Sequence, residues 1–308
     1  MKKYLAFDVG GTSVKYAVVN EEGGVSSSNK FKTPDTLEKM YQEIENVAHE
    51  YQDVEGIALS MPGAVDSDGG IIYGSSAIDY IHGPNIKEDL KQRLNKDVEF
   101  ENDANCAALG EAYAGVGNGA KDFVAVTLGT GVGSGVIIDG KIVNGVNYAG
   151  GECGHMVIVV DGEQCSCGRK GCWEAYASAT ALIRQTKKAM EEYPDSLMHK
   201  LAKEEGKVSG RTAFDAMRLG DIAGIKVVDD YIKYVACGLI NIVNALQPEI
   251  ICIGGGICNE GETLMKPLRR FVQSERYSIH SKIQTKIVKA ELGNDAGVIG
   301  AAILGKVK

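Results

Sequence analysis

The chain contains no apolar run approaching the roughly 18 residues a membrane helix needs, so no bilayer span is expected. It also lacks a basic excess. Lys and Arg total 33 against 41 Asp and Glu, a formal net charge of −8, which excludes an extended nucleic-acid surface. A nucleotide ligand is not excluded, because glycine loops and Mg²⁺ can hold phosphates on an acidic protein. The start, MKKYLAFDVGG, has basic residues but no long apolar region or small-residue cleavage site, so a signal peptide is not expected. Cysteine is present, eight in all, without the look of a disulfide framework, since a C-x-C pair bridges badly. Their use fits a reducing cytoplasm. What remains is ordinary globular composition, 44% hydrophobic and 24% charged over 308 residues, enough for a large core divided into two lobes.

The most informative stretch is Tyr148 to Ala177, YAGGECGHMVIVVDGEQCSCGRKGCWEAYA. Cys165, Cys167 and Cys172 form a C-x-C-x4-C run with Gly168 and Gly171 between them, and His155 lies upstream. Three thiols and an imidazole suit one closed tetrahedral zinc. The alternative, ordinary buried cysteines, fits poorly with so polar a surrounding. Cys106, Cys153, Cys237, Cys252 and Cys258 read as small buried hydrophobes. Glu152 and Glu174 flank the cluster, so the same knot can form the floor of a polar-ligand site.

The 39 glycines fall in short clusters after apolar runs. Tyr4–Val9 and Val14–Asn20 read as a hairpin about Gly10-Gly11-Thr12. A plain turn needs only the glycines; Asp8, Thr12 and Lys15 add a carboxylate, a hydroxyl and a cation that could serve metal and phosphate. Phe123–Leu128, Gly129-Thr130-Gly131-Val132-Gly133 and a return strand Val136–Lys141 repeat the design. Two such turns suggest two jaws on one polyphosphate. Glu249–Ile253 meets Gly254-Gly255-Gly256, either a tight strand–helix connection or a surface for a flat ligand.

Between these motifs, Asp35 is expected to open a helix with Glu38 as its capping-box partner. Gly74–Asn85 reads as a polar, aromatic recognition loop, and Gly115–Gly119 as a joint between lobes. Val98–Glu101 is a strand running into Asn102-Asp103-Ala104-Asn105. Asp103 fits a helix N-cap; it also fits a rigid, exposed catalytic carboxylate. Trp173–Lys188 reads as one helix, 189–221 as irregular but for a short helix near Ala213–Leu219, and Ala223–Leu246 as one long helix. A final helix from Ala296 to Leu304 carries small residues that permit close packing.

The motifs DVGGTSVKYAVV, ENDANCAALGE, TLGTGVGSGV, GGECGH, CSCGRKGCWE and IGGGI resemble, in order and over nearly the whole chain, those of the ROK family of sugar kinases in the actin-like ATPase group. The resemblance implies an α/β, two-lobe actin-like ATPase (ribonuclease H-like) fold with a zinc-binding insertion in the larger lobe and ATP bound between the lobes. The expected division is 1–115, 116–294, and 295–308 packing back on the first lobe. The resemblance implies phosphoryl transfer from ATP–Mg²⁺ to a hexose hydroxyl, commonly on C6, with Asp103 as base. Asn102, Glu152, His155 and Glu174 would hold the sugar. Asp8, Gly10, Gly11, Thr12, Lys15, Thr130, Gly131, Gly254, Gly255 and Gly256 would serve the nucleotide and its metal. His155, Cys165, Cys167 and Cys172 would hold a structural zinc. A homodimer is expected.

Family glucokinases usually carry Asn-Leu and Trp in the sugar-side loop; here SSAIDYIHGPN stands there, closer to β-glucoside or N-acylmannosamine kinases. Sugar-sensing repressors of the family carry a winged helix before the first glycine turn; with Asp8 so near the start of this sequence, a repressor is not expected.

Overall fold

The computed structural model describes residues 1–74, 78–117 and 119–307. Ser75, Ser76 and Ala77 of the expected recognition loop, Asn118 of the expected joint and Lys308 lie outside the described residues. The chain forms two compact units: residues 1–125, 135–151 and 290–308 make the first, and 126–134 with 152–289 the second.

In the first unit β1 (Lys3–Val9), β2 (Ser13–Asn20) and β3 (Val25–Lys32) form an antiparallel meander, followed by α1 (Leu37–Glu50) and β4 (Gly56–Met61). A small hairpin, β5 (Val65–Asp66) and β6 (Ile71–Ile72), and α2 (Ile86–Leu94) lead to β7 (Asp97–Asn102) and α3 (Asp103–Tyr113). The sheet order is β3–β2–β1–β4–β7, with β1, β4 and β7 parallel. Side chains alternate across each strand. Leu5, Phe7, Ile57, Leu59, Val98 and Phe100 point into one core with Tyr41 and Ile44 of α1. The opposite face carries Ala6, Asp8, Ala58, Ser60 and Glu101, smaller or polar, and there α3 meets α10 (Ala296–Val307). A Cβ on Gly300 of α10 would stand 1.6 Å from the Cys106 carbonyl of α3, so the two helices cross backbone to backbone.

A second sheet has the order β10–β9–β8–β11–β12. Its strands are β8 (Phe123–Leu128), β9 (Val132–Ile138), β10 (Lys141–Ile142), β11 (Ile250–Gly254) and β12 (Lys286–Lys289), the last two parallel. The second unit holds β11, β12 and the helices α4 (Glu174–Ala177), α5 (Ala179–Glu192), α6 (Leu197–Glu205), α7 (Thr212–Arg218), α8 (Ile222–Leu246) and α9 (Glu262–Glu275). Its core gathers on α8: fully buried Trp173 packs over Gly238 and donates its indole N–H to the Tyr234 carbonyl at 2.8 Å.

Several local expectations are corrected. Thr36, not Asp35, caps α1, accepting from the Lys39 amide, and Glu38 instead pairs with Arg93. Asp35 is free to reach Lys39 one turn on. The return strand β9 begins at Val132, so Gly133 and Gly135 are strand residues. The expected helix from Trp173 breaks at Ser178, whose hydroxyl caps α5. Within 189–221, α6 is a regular helix capped by Ser196; its buried stripe is only Met198 and Ala202 among charged residues, too short to read as a period.

Candidate active site

In the first unit, Asp8 lies at the end of β1, opposite Lys15 of β2 and beside Ser60 of β4. Ser60 Oγ donates to Asp8 Oδ1 at 2.6 Å. Withdrawal from water raises the Asp8 carboxyl above its ordinary range, against the lowering effects of Ser60 and Lys15. The turn beyond is closed by Gly10 N–H donating to Ser13 O at 3.1 Å and tied down by Thr33, which donates to the Gly10 carbonyl at 2.5 Å. Gly11 and Thr12 are exposed. Lys15, expected at the phosphates, has its ammonium on the Asp295 carboxylate and the Asn294 carbonyl.

The junction between β7 and α3 separates two roles the sequence left open for Asp103. Asn102 is the cap: its Oδ1 accepts from Ala104 N at 2.9 Å and Asn105 N at 3.1 Å, and its Nδ2 donates to Gly63 O at 2.9 Å. Asp103 is therefore the first helical residue, exposed, with Oδ1 accepting from Ala104 N at 2.8 Å.

Behind this pair stands Glu101, 2% exposed. Its carboxylate accepts from Ser67 Oγ at 2.6 Å, Asn102 N at 2.7 Å, Asn105 Nδ2 at 3.1 Å and Asn144 Nδ2 at 3.4 Å. A buried carboxylate with so many donors is affordable and holds the strand–helix junction rigid. The crowding of acidic and amide residues at 101–105 was visible in sequence; that Ser67 and Asn144 converge on it was not, since both are remote in the chain.

In the second unit, the turn after β8 is held by Gly129 N donating to Gly131 O at 3.0 Å and by the start of α5: Ala179 N donates to Gly129 O, and Thr180 Oγ1 to Thr130 O, both at 2.8 Å. Glu174 Oε2 accepts from Val132 N at 3.0 Å and Oε1 from Ser166 Oγ at 2.8 Å. A Cβ on Gly131 would come within 2.3 Å of Glu174 Oε2, so Gly131 makes room for that carboxylate. The Gly254–Gly256 run ends β11, with Gly255 at φ +91° against the Leu128 carbonyl.

Gly129, Thr130 and Gly256 line one cavity of about 610 Å³ with Leu128, Lys207, Ser209, Arg211 and Asn259. That volume suits a small ligand. Arg211 and Arg218 at its edge are paired to Glu205 and Glu260. The sequence reading missed the contribution of 205–218, because α6 and α7 had not been recognised as framing a hollow.

His155, Cys165, Cys167 and Cys172 bring their ligand atoms within 4.8 Å of one another. The fit to a metal is testable from the edges of the cluster. Cys167 Sγ to Cys172 Sγ is 3.7 Å and Cys165 Sγ to His155 Nδ1 is 3.5 Å. A tetrahedron built on Zn–S of about 2.3 Å and Zn–N of about 2.0–2.1 Å has edges of about 3.8 and 3.5 Å. The residues present therefore could hold such an ion. Glu152 precedes the short helical turn Cys153–His155, whose start is fixed by Cys153 N donating to Ser134 Oγ at 3.0 Å. Withdrawal from water raises the Glu152 carboxyl; His155 opposes the shift and Glu174 adds to it.

The expected site residues thus fall into two groups. Asp8, Gly10–Thr12, Lys15, Asn102 and Asp103 belong to the first unit; Thr130, Gly131, Glu152, His155, Glu174, the cysteines and Gly254–Gly256 belong to the second. Of the recognition loop, Tyr80 donates its hydroxyl to the Pro34 carbonyl at 2.6 Å and Ile78 and Ile81 are buried, so this segment is built into the first unit's core.

The profile of the ROK family matches residues 4–308. The chain belongs to the ROK family. Its fold is that of the ROK sugar kinases, α/β and of the actin-like ATPase type. A glucokinase of Thermotoga maritima is 36% identical over 313 residues, 99% of this chain and 97% of that one. An N-acetyl-D-glucosamine kinase of Vibrio cholerae is 31% identical over 316 residues, 98% of this chain and 99% of the other. The crystal structure of a ROK family glucokinase from Streptomyces griseus, in complex with glucose and AMPPNP, superimposes with a TM-score of 0.82 at 33% identity and 98% coverage of both chains.

Proposed function

We propose that this ROK protein is an ATP-dependent hexose kinase, transferring a phosphoryl group to a hydroxyl of glucose or a related hexose, commonly that on C6, with Asp103 as general base. Likeness over the full chain to proteins named as glucokinases supports the reaction class. The observation that carries the base assignment is the division of labour at α3: Asn102 does the capping, so Asp103 is a rigid, exposed carboxylate that the helix start does not require. A sugar hydroxyl is a poor nucleophile, and a carboxylate accepting its proton contributes about 10²–10⁴-fold.

Asn102, Glu152, His155 and Glu174 are the groups we assign to the sugar's other hydroxyls. Their rigidity comes from the cap, the 152–155 turn and the amide of Val132. Backbone amides of the turns at Gly10 and Gly129 take the phosphates, and the 610 Å³ cavity beside Gly256 takes the nucleoside. Magnesium bound with ATP would supply charge neutralisation, with Asp8 facing it; positioning and charge stabilisation do most of the remaining work in phosphoryl transfer. Zinc on His155, Cys165, Cys167 and Cys172 would be structural, leaving the second ring nitrogen of His155 to a sugar hydroxyl. We assign the protein to the cytoplasm as a homodimer, the latter measurable by light scattering. Among the described residues no helix is long and apolar enough to cross a membrane.

The decisive experiment is Asp103→Asn assayed with ATP over a hexose panel beside a thermal melt. The variant should melt like the parent, bind ATP and sugar nearly as well, and lose at least about 10²-fold in kcat. Retention of most of the turnover would remove Asp103 from the chemistry. An N-acetylated hexosamine or β-glucoside as the preferred acceptor is the second reading, favoured by the absence of Trp from residues 74–85, and the same panel decides it.

A further inference from the structure

Two tyrosines of the first unit have no part in the reading above. Tyr73, at the end of the β5–β6 hairpin, and Tyr148, in the loop after β10, stack with ring centroids 6.3 Å apart and planes 19° from parallel. Both hydroxyls go to one carboxylate, Asp66, which is 8% exposed: Tyr73 Oη lies 3.4 Å from Oδ2, Tyr148 donates to the same group, and Gly69 N holds Oδ1 at 2.7 Å. Tyr148 has φ +61°, a left-handed backbone that a bulky residue seldom adopts. Such outliers persist where the surroundings fix them, often at ligand clamps. Tyr73 remains 62% exposed, so the stack presents an open aromatic face.

The position of the pair gives it meaning. Ser67, next to Asp66, and Asn144, four residues before Tyr148, both donate to Glu101, and Asn144 Oδ1 also accepts from Asn105 at 3.1 Å. The loops bearing the two rings are thus pinned to the same junction that presents Asp103. An aromatic face next to convergent polar groups is the usual make-up of a small-ligand site, and a tyrosine ring offers an apolar body whose hydroxyl is here already satisfied.

We propose that Tyr73 and Tyr148 form an aromatic wall that packs against the C–H face of the acceptor hexose and sets which acceptors are taken. The inference rests on the kinase reading for its ligand class. Equilibrium binding tests it independently of turnover. Wild type, Tyr73→Ala, Tyr148→Gly and the Tyr73→Phe/Tyr148→Phe double variant are titrated calorimetrically with D-glucose, D-mannose, N-acetyl-D-mannosamine and methyl β-D-glucoside, without nucleotide. Glycine is at ease at the Tyr148 φ, so that variant should fold with an undiminished melt. Tyr148→Gly and Tyr73→Ala should each weaken the best acceptor at least tenfold and flatten the preference among the four sugars, while KM for ATP moves less than twofold. The double Phe variant, which keeps the rings and loses the bonds to Asp66, should stay within about threefold.

If the Ala and Gly variants bind as wild type does, the wall is wrong. If the Phe pair is as damaged as Tyr148→Gly, the tyrosines merely pin their loops, and the proposal also falls. Wild type that binds hexoses but turns none over would defeat the kinase reading and leave the wall to be judged by the binding data; wild type that binds none of them defeats both.

Discussion

Asn102 and Asp103 are neighbours of nearly equal size, and only the first caps α3. Asn102 satisfies two amides at the start of α3 and ties the Gly63 carbonyl; a lost cap of this kind costs about 0.5–2 kcal/mol, so Asn102→Ala should lower the melt accordingly and weaken sugar binding, whereas Asp103→Asn should leave the melt alone. The sequence offered Asp103 as the cap and the structure gives that place to Asn102, because a cap is defined by backbone angles that residue type only biases. Asp8 offers a second residue-scale test. Its folded carboxyl sits above the ordinary 3.8 because burial disfavours the charge. Between those values the native state holds more proton than the unfolded chain, so the Asp8 contribution to stability declines as pH rises through the window. Asp8→Asn should remove that decline, melt no lower than wild type near neutral pH, and lose Mg²⁺-dependent turnover. A lower melt at pH 7 would show that the ionised form stabilises the fold.

At the scale of elements, the glycine turns differ in a way their sequences conceal. Replacing Gly131 would strike Glu174, whereas Gly129 lines the cavity and a Cβ there meets nothing within 4 Å. Gly129→Val should therefore leave the melt unchanged and weaken ATP binding at least tenfold; unchanged ATP affinity would place the nucleotide elsewhere. Gly300→Ala is the converse, a purely structural change. With the Cys106 carbonyl 1.6 Å from the new carbon, α10 must lift from α3, and overpacking of this kind costs about 1–3 kcal/mol or more. A melt equal to wild type would mean that the two helices separate at no cost. Strands and long helices were legible because their apolar alternation and periodicity are strong: β1, β2, β8 and α8 read within a residue or two. α6 was not, since only Met198 and Ala202 are buried, and the start of β9 hid in glycines that look like turn.

Across the whole molecule, the cysteine knot was the part most open to reading from sequence, because metal ligands must be particular residue types close together. Glu101, Ser67 and Asn144 were the opposite case: none has a distinctive spacing, and only the folded chain assembles them. Purified protein should carry about one zinc per chain. Stripping it with a chelator should lower the melt and weaken sugar binding together, since the loop that bears Cys165 and Cys167 also supplies Ser166 to Glu174. A metal-free protein with full stability and activity would reduce the cluster to buried thiols.

The ion pair between Lys15 and Asp295 joins positions 280 residues apart, and the Glu111 bond to the Leu292 amide spans 181. At a synthesis rate of about 5–20 residues per second, the Lys15 ammonium emerges roughly 14–56 s before the carboxylate that will hold it. All five strands of the first sheet, Lys3 to Asn102, are thus made long before the helix that covers one of its faces. From its own emergence until α10 follows, the face of α3 around Cys106 is an apolar surface open to chaperones, misplaced strands or a neighbouring nascent chain.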